Sequence, residues 1–175
     1  MTEESKFWED LKSGRFVSMV KESSKGRSVS SSQEVYNILK PIFAEEDDVE
    51  KAYFIFLDGQ NKVLAIENMF SGSITASPIY PREIVKRLLS LKATSFIMAH
   101  NHPSGDIKPS AEDKSITIKI AMAAASIDVQ LHDHIIIGDG YHSMADTGWL
   151  NGVSRRFSNL LTTHALPANW DEDAA

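Results

Sequence analysis

Residues 94–113, TSFIMAHNHPSGDIKPSAED, constrain this chain more than any other stretch. TSFIMA has the length and the apolar, aromatic composition of a buried strand. PSG at 103–105 is turn chemistry, and Pro109 with Ser110 opens a helix in which Asp113 stands third after the cap, as in a capping box. A strand must therefore turn almost directly into a helix folded back over it. His100 and His102, two apart at the strand end, project from one face of the extended chain. Two imidazoles on one face suit a single ion, and a carboxylate from the following helix closes a three-ligand set. Three protein ligands leave zinc's fourth position to water, the arrangement of a catalytic rather than a structural site.

Plainer readings exist for each part. An isolated HxH pair also describes two loop histidines. Ser110 and Asp113 read equally as a helix cap, and Asp113 can ligate only if its carboxylate faces the histidines and not the backbone. Asp106 is the competing carboxylate through local HxHxxxD chelation; it ranks below Asp113 because it sits inside the turn and can cap it. His132, Asp133 and His134 form a second polar cluster in a strand otherwise made of Val129, Leu131 and Ile135 to Ile137. Metal-bound imidazoles hand their other N–H to a carboxylate or carbonyl, a place Asp133 can take. The alternative is that these are hydrogen-bonded sheet-face residues. A two-metal site like that of the metallo-β-lactamases lacks the Asp-His that follows the pair there.

With no cysteine there is no disulfide, thiolate zinc site or cysteine nucleophile, so a metal must sit on imidazole and carboxylate. Zinc nucleobase deaminases, which need a PCxxC, are excluded. A chain of 175 residues, 42% hydrophobic, suits one domain with a filled core. The net charge of −6 and a pI near 5.5 argue against a nucleic-acid partner. Basic pairs such as Lys86/Arg87 and Arg155/Arg156 read as solvated faces. No apolar run reaches membrane-span length and MTEESKFWED lacks a signal-peptide pattern, so the expectation is a cytoplasmic protein with no membrane partner.

Residues 1–30 read as a helical arm, with Trp8, Leu11, Phe16 and Met19 as its apolar stripe, followed by a Ser-rich linker. Residues 31–150 form the expected domain and 151–175 a tail with a helix around 155–163. Ser31 to Glu34 is a capping box opening a helix through Val35, Ile38 and Leu39, followed by Pro41 and the acidic run 45–48, after which the core begins. AYFIFL at 52–57 and residues 63–66 form a hairpin around DGQN. An extended piece at 70–76 leads to a helix at 81–91 with Ile84, Val85, Leu88 and Leu89 on one face. A helix from Ser110 to about residue 126 and a strand at 129–137, ended by GDG at 138–140, complete the pattern. Strands and helices alternating around a hairpin predict an α/β fold, a mixed sheet flanked by helices.

HNHPSG followed by Ser110 and Asp113 resembles the JAMM motif, HxH, seven residues, Ser, two residues, Asp, of the JAB/MPN metalloproteases, and HNHPSG is the hallmark of their RadC branch. SQEVYNIL, FLDGQNKV, YPREIVK and DHIIIGDG are similar to RadC proteins in the same order, from about Ser30 to Leu150. The resemblance implies the JAB/MPN architecture, which is cytidine-deaminase-like, with one zinc per chain on His100, His102 and Asp113. It implies Glu50 as general base and Ser110 as oxyanion donor; by composition alone Glu45, Glu46 and Glu67 are rivals to Glu50. RadC proteins of the usual length carry a helix-hairpin-helix region ahead of this domain. With only about 30 residues there, the expectation is a short form without it, which weakens any DNA-repair role. Three function classes follow: a zinc peptidase or isopeptidase acting on an extended peptide or protein, a non-catalytic MPN-type binding module, and a DNA-repair-associated protein. A homodimer is left open.

Overall fold

The computed structural model describes residues 5–6, 9, 13–44, 49–72 and 79–163. The elements run α1 (Arg15–Ser24), α2 (Ser32–Ala44), β1 (Lys51–Leu57), β2 (Val63–Ser71), α3 (Pro81–Leu91), β3 (Ser95–Asn101), α4 (Ala111–Ala125), β4 (Gln130–Gly138), β5 (Gly140–Ser143) and α5 (Trp149–Thr163). Five strands form one sheet in the order β2-β1-β3-β4-β5. β3 and β4 are parallel, joined by the α4 crossover, and the other pairs are antiparallel. This is the α/β class with a mixed sheet.

Alternation along β1 and β3 separates two cores. Ala52, Phe54, Phe56, Phe96 and Met98 pack with Ile84 and Leu88 of α3 and Ile116, Ile120 and Ala124 of α4. Tyr53, Ile55, Leu57, Ile97 and Ala99 pack on the opposite face with Val35, Ile38, Leu39, Ile42 and Phe43 of α2. Helices therefore cover both faces, and parity along a strand decides which core a side chain enters.

Several sequence expectations change here. The core does not begin after residue 48, because α2 supplies much of one core. α2 also passes through Pro41 to Ala44, since burial of Ile42 and Phe43 outweighs the lost backbone hydrogen bond. On α1 the inward residues are Val17, Val20 and Ser24; Met19 is 59% exposed, and Trp8 and Leu11 lie outside the described residues. Leu89 is likewise exposed, leaving Ile84 and Leu88 as the buried face of α3. The strand through Phe70 is the end of β2, and residues 73–76 lie outside the described set. The short β5 was not anticipated: four residues starting with glycine carry too little pattern to read as a strand.

Candidate metal centre

His100 is the penultimate residue of β3, on the α4 face of the sheet and 0% exposed. The strand ends where Pro103 removes a backbone donor. His102 N–H donates to Ile137 O at 2.8 Å, and Gly105 N–H closes the turn onto His102 O at 2.9 Å. Asp139 N–H then donates to Gly105 O at 2.8 Å, stitching this turn to the one that follows β4. Two glycines permit the seam. Gly105 has φ +83°, and a Cβ on Gly138 would lie 2.4 Å from Gly105 O. Asp106 is used inside the turn, its carboxylate accepting from Lys108 N–H at 2.9 Å and its main-chain oxygen facing His102 Nδ1 at 2.7 Å.

Ser110 caps α4, and the capping box is complete: its hydroxyl oxygen accepts from Asp113 N–H at 3.0 Å while Asp113 Oδ2 accepts from Ser110 N–H at 2.7 Å. The same carboxylate faces the histidines. Oδ1 lies 3.1 Å from His100 Nε2 and Oδ2 lies 3.4 Å from His102 Nε2. Cap and candidate ligand are one group, because the first turn of α4 sits directly over the end of β3.

Among the described residues, Glu50, His100, His102 and Asp113 offer ligand atoms that all lie within 4.8 Å of one another. The two Nε2 atoms are 2.9 Å apart. A tetrahedral zinc with bonds of 2.0–2.1 Å has ligand–ligand edges of about 3.3 Å, and the 2.9 Å between the imidazoles, the 3.1 Å from Oδ1 to His100 and the 3.4 Å from Oδ2 to His102 are on that scale, with the carboxylate turning a different oxygen to each ring. The donor set is also right in kind, two imidazoles and a carboxylate. Burial is the largest influence on the Asp113 carboxyl and opposes its ionisation, but contacts from His100 and His102 outweigh it and hold the group well below the usual carboxylate range. The Asp113 contact raises the pKa of His102 against partial burial, with the Asp106 carbonyl assisting.

Glu50 directly precedes β1. The register that pairs Ala52 with His100 carries Glu50 to the His102 end of β3. Its main chain is held on three sides: Gly72 N–H donates to Glu50 O at 2.8 Å, and the Asn101 side chain accepts from Lys51 N–H at 2.7 Å and donates to Val49 O at 3.1 Å. Of the rivals, Glu67 is taken up in a paired contact with Arg87, and Glu45 and Glu46 lie outside the described residues.

The second polar cluster divides. His134 and not Asp133 meets the candidate ligand His100, with His134 Nε2 2.7 Å from His100 Nδ1 and His134 Nδ1 2.5 Å from Thr117 Oγ1. Burial holds the His134 imidazole well below its ordinary pKa, and the neighbouring His100 adds to this. Asp133 points to the opposite sheet face, where it accepts from Ser143 Oγ at 2.5 Å and Ala145 N–H at 2.9 Å, and burial raises its carboxyl. His132 faces Asn61 at the β1–β2 turn. Sequence reasoning passed over Asn101 and Thr117. Their signals were present: Asn101 has opposite strand parity to the two histidines, and Thr117 lies one helical turn after Asp113.

A mixed sheet presenting two strand-end histidines to an aspartate on the next helix defines a JAB-type domain with a candidate metal centre. The family model for the RadC-like JAB domain matches residues 29–149, and the chain belongs to that family. Among similar proteins, a UPF0758 protein of Vibrio atlanticus is 47% identical over 102 residues, 58% of this chain and 46% of the relative. A UPF0758 protein of Photobacterium profundum is 48% identical over the same length and shares. One of Vibrio parahaemolyticus is 39% identical over 127 residues, 72% of this chain and 56% of the relative. The chain thus spans about half the length of the curated relatives it matches, whose names state no activity. Among the described residues no helix is long and apolar enough to cross a membrane.

Proposed function

We propose that this chain is a zinc-dependent hydrolase of amide or isopeptide bonds. The observation that carries the reading is the convergence of Glu50, His100, His102 and Asp113 within 4.8 Å at the end of one strand. His100, His102 and Asp113 would hold the ion, whose chemistry is to make water ionisable near pH 7 and to polarise a carbonyl. Glu50 takes the water's proton on its carboxylate and hands it to the leaving amine, the work of a carboxylate close to the ligands without being one of them. Ser110 accepts from Asp113 N–H through its oxygen lone pair, so its hydroxyl proton is available to an oxyanion. Asn101 holds the chain on either side of Glu50 and so limits where the base can reach. A cleft lined by Phe43, Asn101, His102, Pro103, Ile137 and Asp139 adjoins the donor set at His102, and it is where an extended peptide or protein substrate would lie on this reading.

The test is metal analysis of the purified chain after zinc supplementation, with His102→Ala and Asp113→Ala variants, followed by hydrolysis of a peptide library. One zinc per chain, lost in both variants, and cleavage abolished by Glu50→Gln with zinc retained are expected. Absence of stoichiometric zinc refutes the metal reading. Zinc binding with cleavage unaffected by Glu50→Gln refutes the role of the base. Zinc binding with no cleavage of any member favours a binding module.

A further inference from the structure

We propose that His134 and Thr117 are positioning residues that set the tautomer of His100 and so determine whether its Nε2 can take a metal. The inference rests on the reading of His100 as a ligand through that atom. His102 needs no such help: its Nδ1 faces the Asp106 carbonyl at 2.7 Å, a carbonyl only accepts, and Nε2 therefore keeps its lone pair. Among the described residues His100 has no carbonyl partner. Its Nδ1 faces another imidazole, His134 Nε2, at 2.7 Å, and either nitrogen can carry the proton between them.

The deciding group stands one step further away. His134 Nδ1 lies 2.5 Å from Thr117 Oγ1, and that hydroxyl lies 2.5 Å from the main-chain oxygen of Asp113. Thr117 has a single proton. When it is donated to Asp113 O, the hydroxyl oxygen accepts from His134 Nδ1–H. His134 Nε2 is then bare and accepts from His100 Nδ1–H, which leaves His100 Nε2 unprotonated and aimed at His102 and Asp113. The reverse order, with the hydroxyl donating to His134, puts protons on His134 Nε2 and His100 Nε2, and the second of these occupies the ligand lone pair. Thr117, His134 and His100 are each 0% exposed, so bulk water does not replace a missing partner. Asp113 thus contributes twice, through its carboxylate to the site and through its carbonyl to the orientation of the hydroxyl.

The experiment compares Thr117→Val with Thr117→Ser in the full chain, stripped of metal and titrated with Zn2+ against a chromophoric chelator. Long-range 1H–15N spectra of the imidazoles read the tautomers directly. Valine keeps the shape but removes the acceptor, so a proton on His134 Nδ1 is left unpaired and the chain of hydrogen bonds reverses. The expected result is a 10–100-fold loss of zinc affinity in Thr117→Val, typical of lost support to a ligand, with His134 protonated on Nε2. Thr117→Ser should stay within about threefold of the parent chain. Zinc affinity of Thr117→Val within that same threefold overturns the proposal. So does a zinc-loaded parent chain with His134 protonated on Nε2, a measurement that decides even if the valine variant does not fold. A parent chain that takes up no zinc overturns the metal reading itself, and this inference with it.

Discussion

Gly138→Ala tests how rigidly the two turns beneath the site are locked together. The added Cβ would sit 2.4 Å from Gly105 O, 2.7 Å from Gly105 C and 3.2 Å from Gly105 Cα. Ordinary contact begins near 3.4 Å, so the two backbones must separate by about 1 Å, and no flexible side chain can absorb the move. Overpacking of this kind costs about 1–3 kcal/mol. Stretching the Asp139 N–H to Gly105 O bond adds about 1 kcal/mol, for a total of about 2–4 kcal/mol. A domain with about 5–15 kcal/mol of stability still folds under that load. The separated turn carries His102, and metal–ligand distances tolerate only about ±0.2 Å. Zinc affinity should therefore fall at least tenfold, a loss of about 1.4 kcal/mol or more. Urea unfolding and chelator competition measure the two effects. Gly59→Ala is the control, since a Cβ there meets nothing within 4 Å. If Gly138→Ala matches the control in both measurements, the close approach is not a rigid constraint and the argument from it fails.

Asn101→Leu removes the side-chain amide that brackets Glu50 and should cost about 1–3 kcal/mol through the buried groups left unpaired, while zinc affinity changes little because the three candidate ligands are untouched. Zinc loss as severe as in Asp113→Ala would show that Asn101 supports the ligands and not the base. The metal-free chain should be most stable near pH 6.5. His102, raised by Asp113, contributes stability that is complete below its unfolded pKa of 6.5 and is lost as pH rises through its higher folded value. His134, lowered by burial, contributes stability present above 6.5 and lost as pH falls toward its folded value; Asp113, also lowered, adds a further loss below 3.8. Urea midpoints between pH 5 and 8.5 check this, and a metal-free midpoint that climbs steadily from pH 7 to 8.5 contradicts it.

What the sequence made legible was whatever depends on local period. TSFIMA as a buried strand, the capped start of α4, the hairpin around DGQN and the shared face of His100 and His102 all follow from alternation or from turn and cap chemistry. What it hid depends on which strands lie side by side. Nothing local tells that β4 runs next to β3, so that His134 and not Asp133 meets His100. The exposure of Met19 and Leu89 was hidden for a related reason: a helical stripe shows periodicity but not which rotation the sheet below selects.

Register also explains why the HNH triplet is built as it is. Odd and even positions of β3 face different cores, so the two histidines turn toward α4 while Asn101 turns toward the α2 side. Antiparallel pairing of Ala52 with His100 sets Lys51 against Asn101, and the Asn101 amide carries the ladder beyond the last strand pair to hold the chain around Glu50. A slip of one residue between β1 and β3 would reverse the facing of every β1 side chain and take the Glu50 carboxylate away from the histidines. Buried faces on both sides of β1 make that slip costly, since Phe54 and Phe56 would have to exchange with Tyr53, Ile55 and Leu57. The two cores that stabilise the sheet are thus also what keeps a residue about fifty positions upstream of His100 within reach of the candidate ligands.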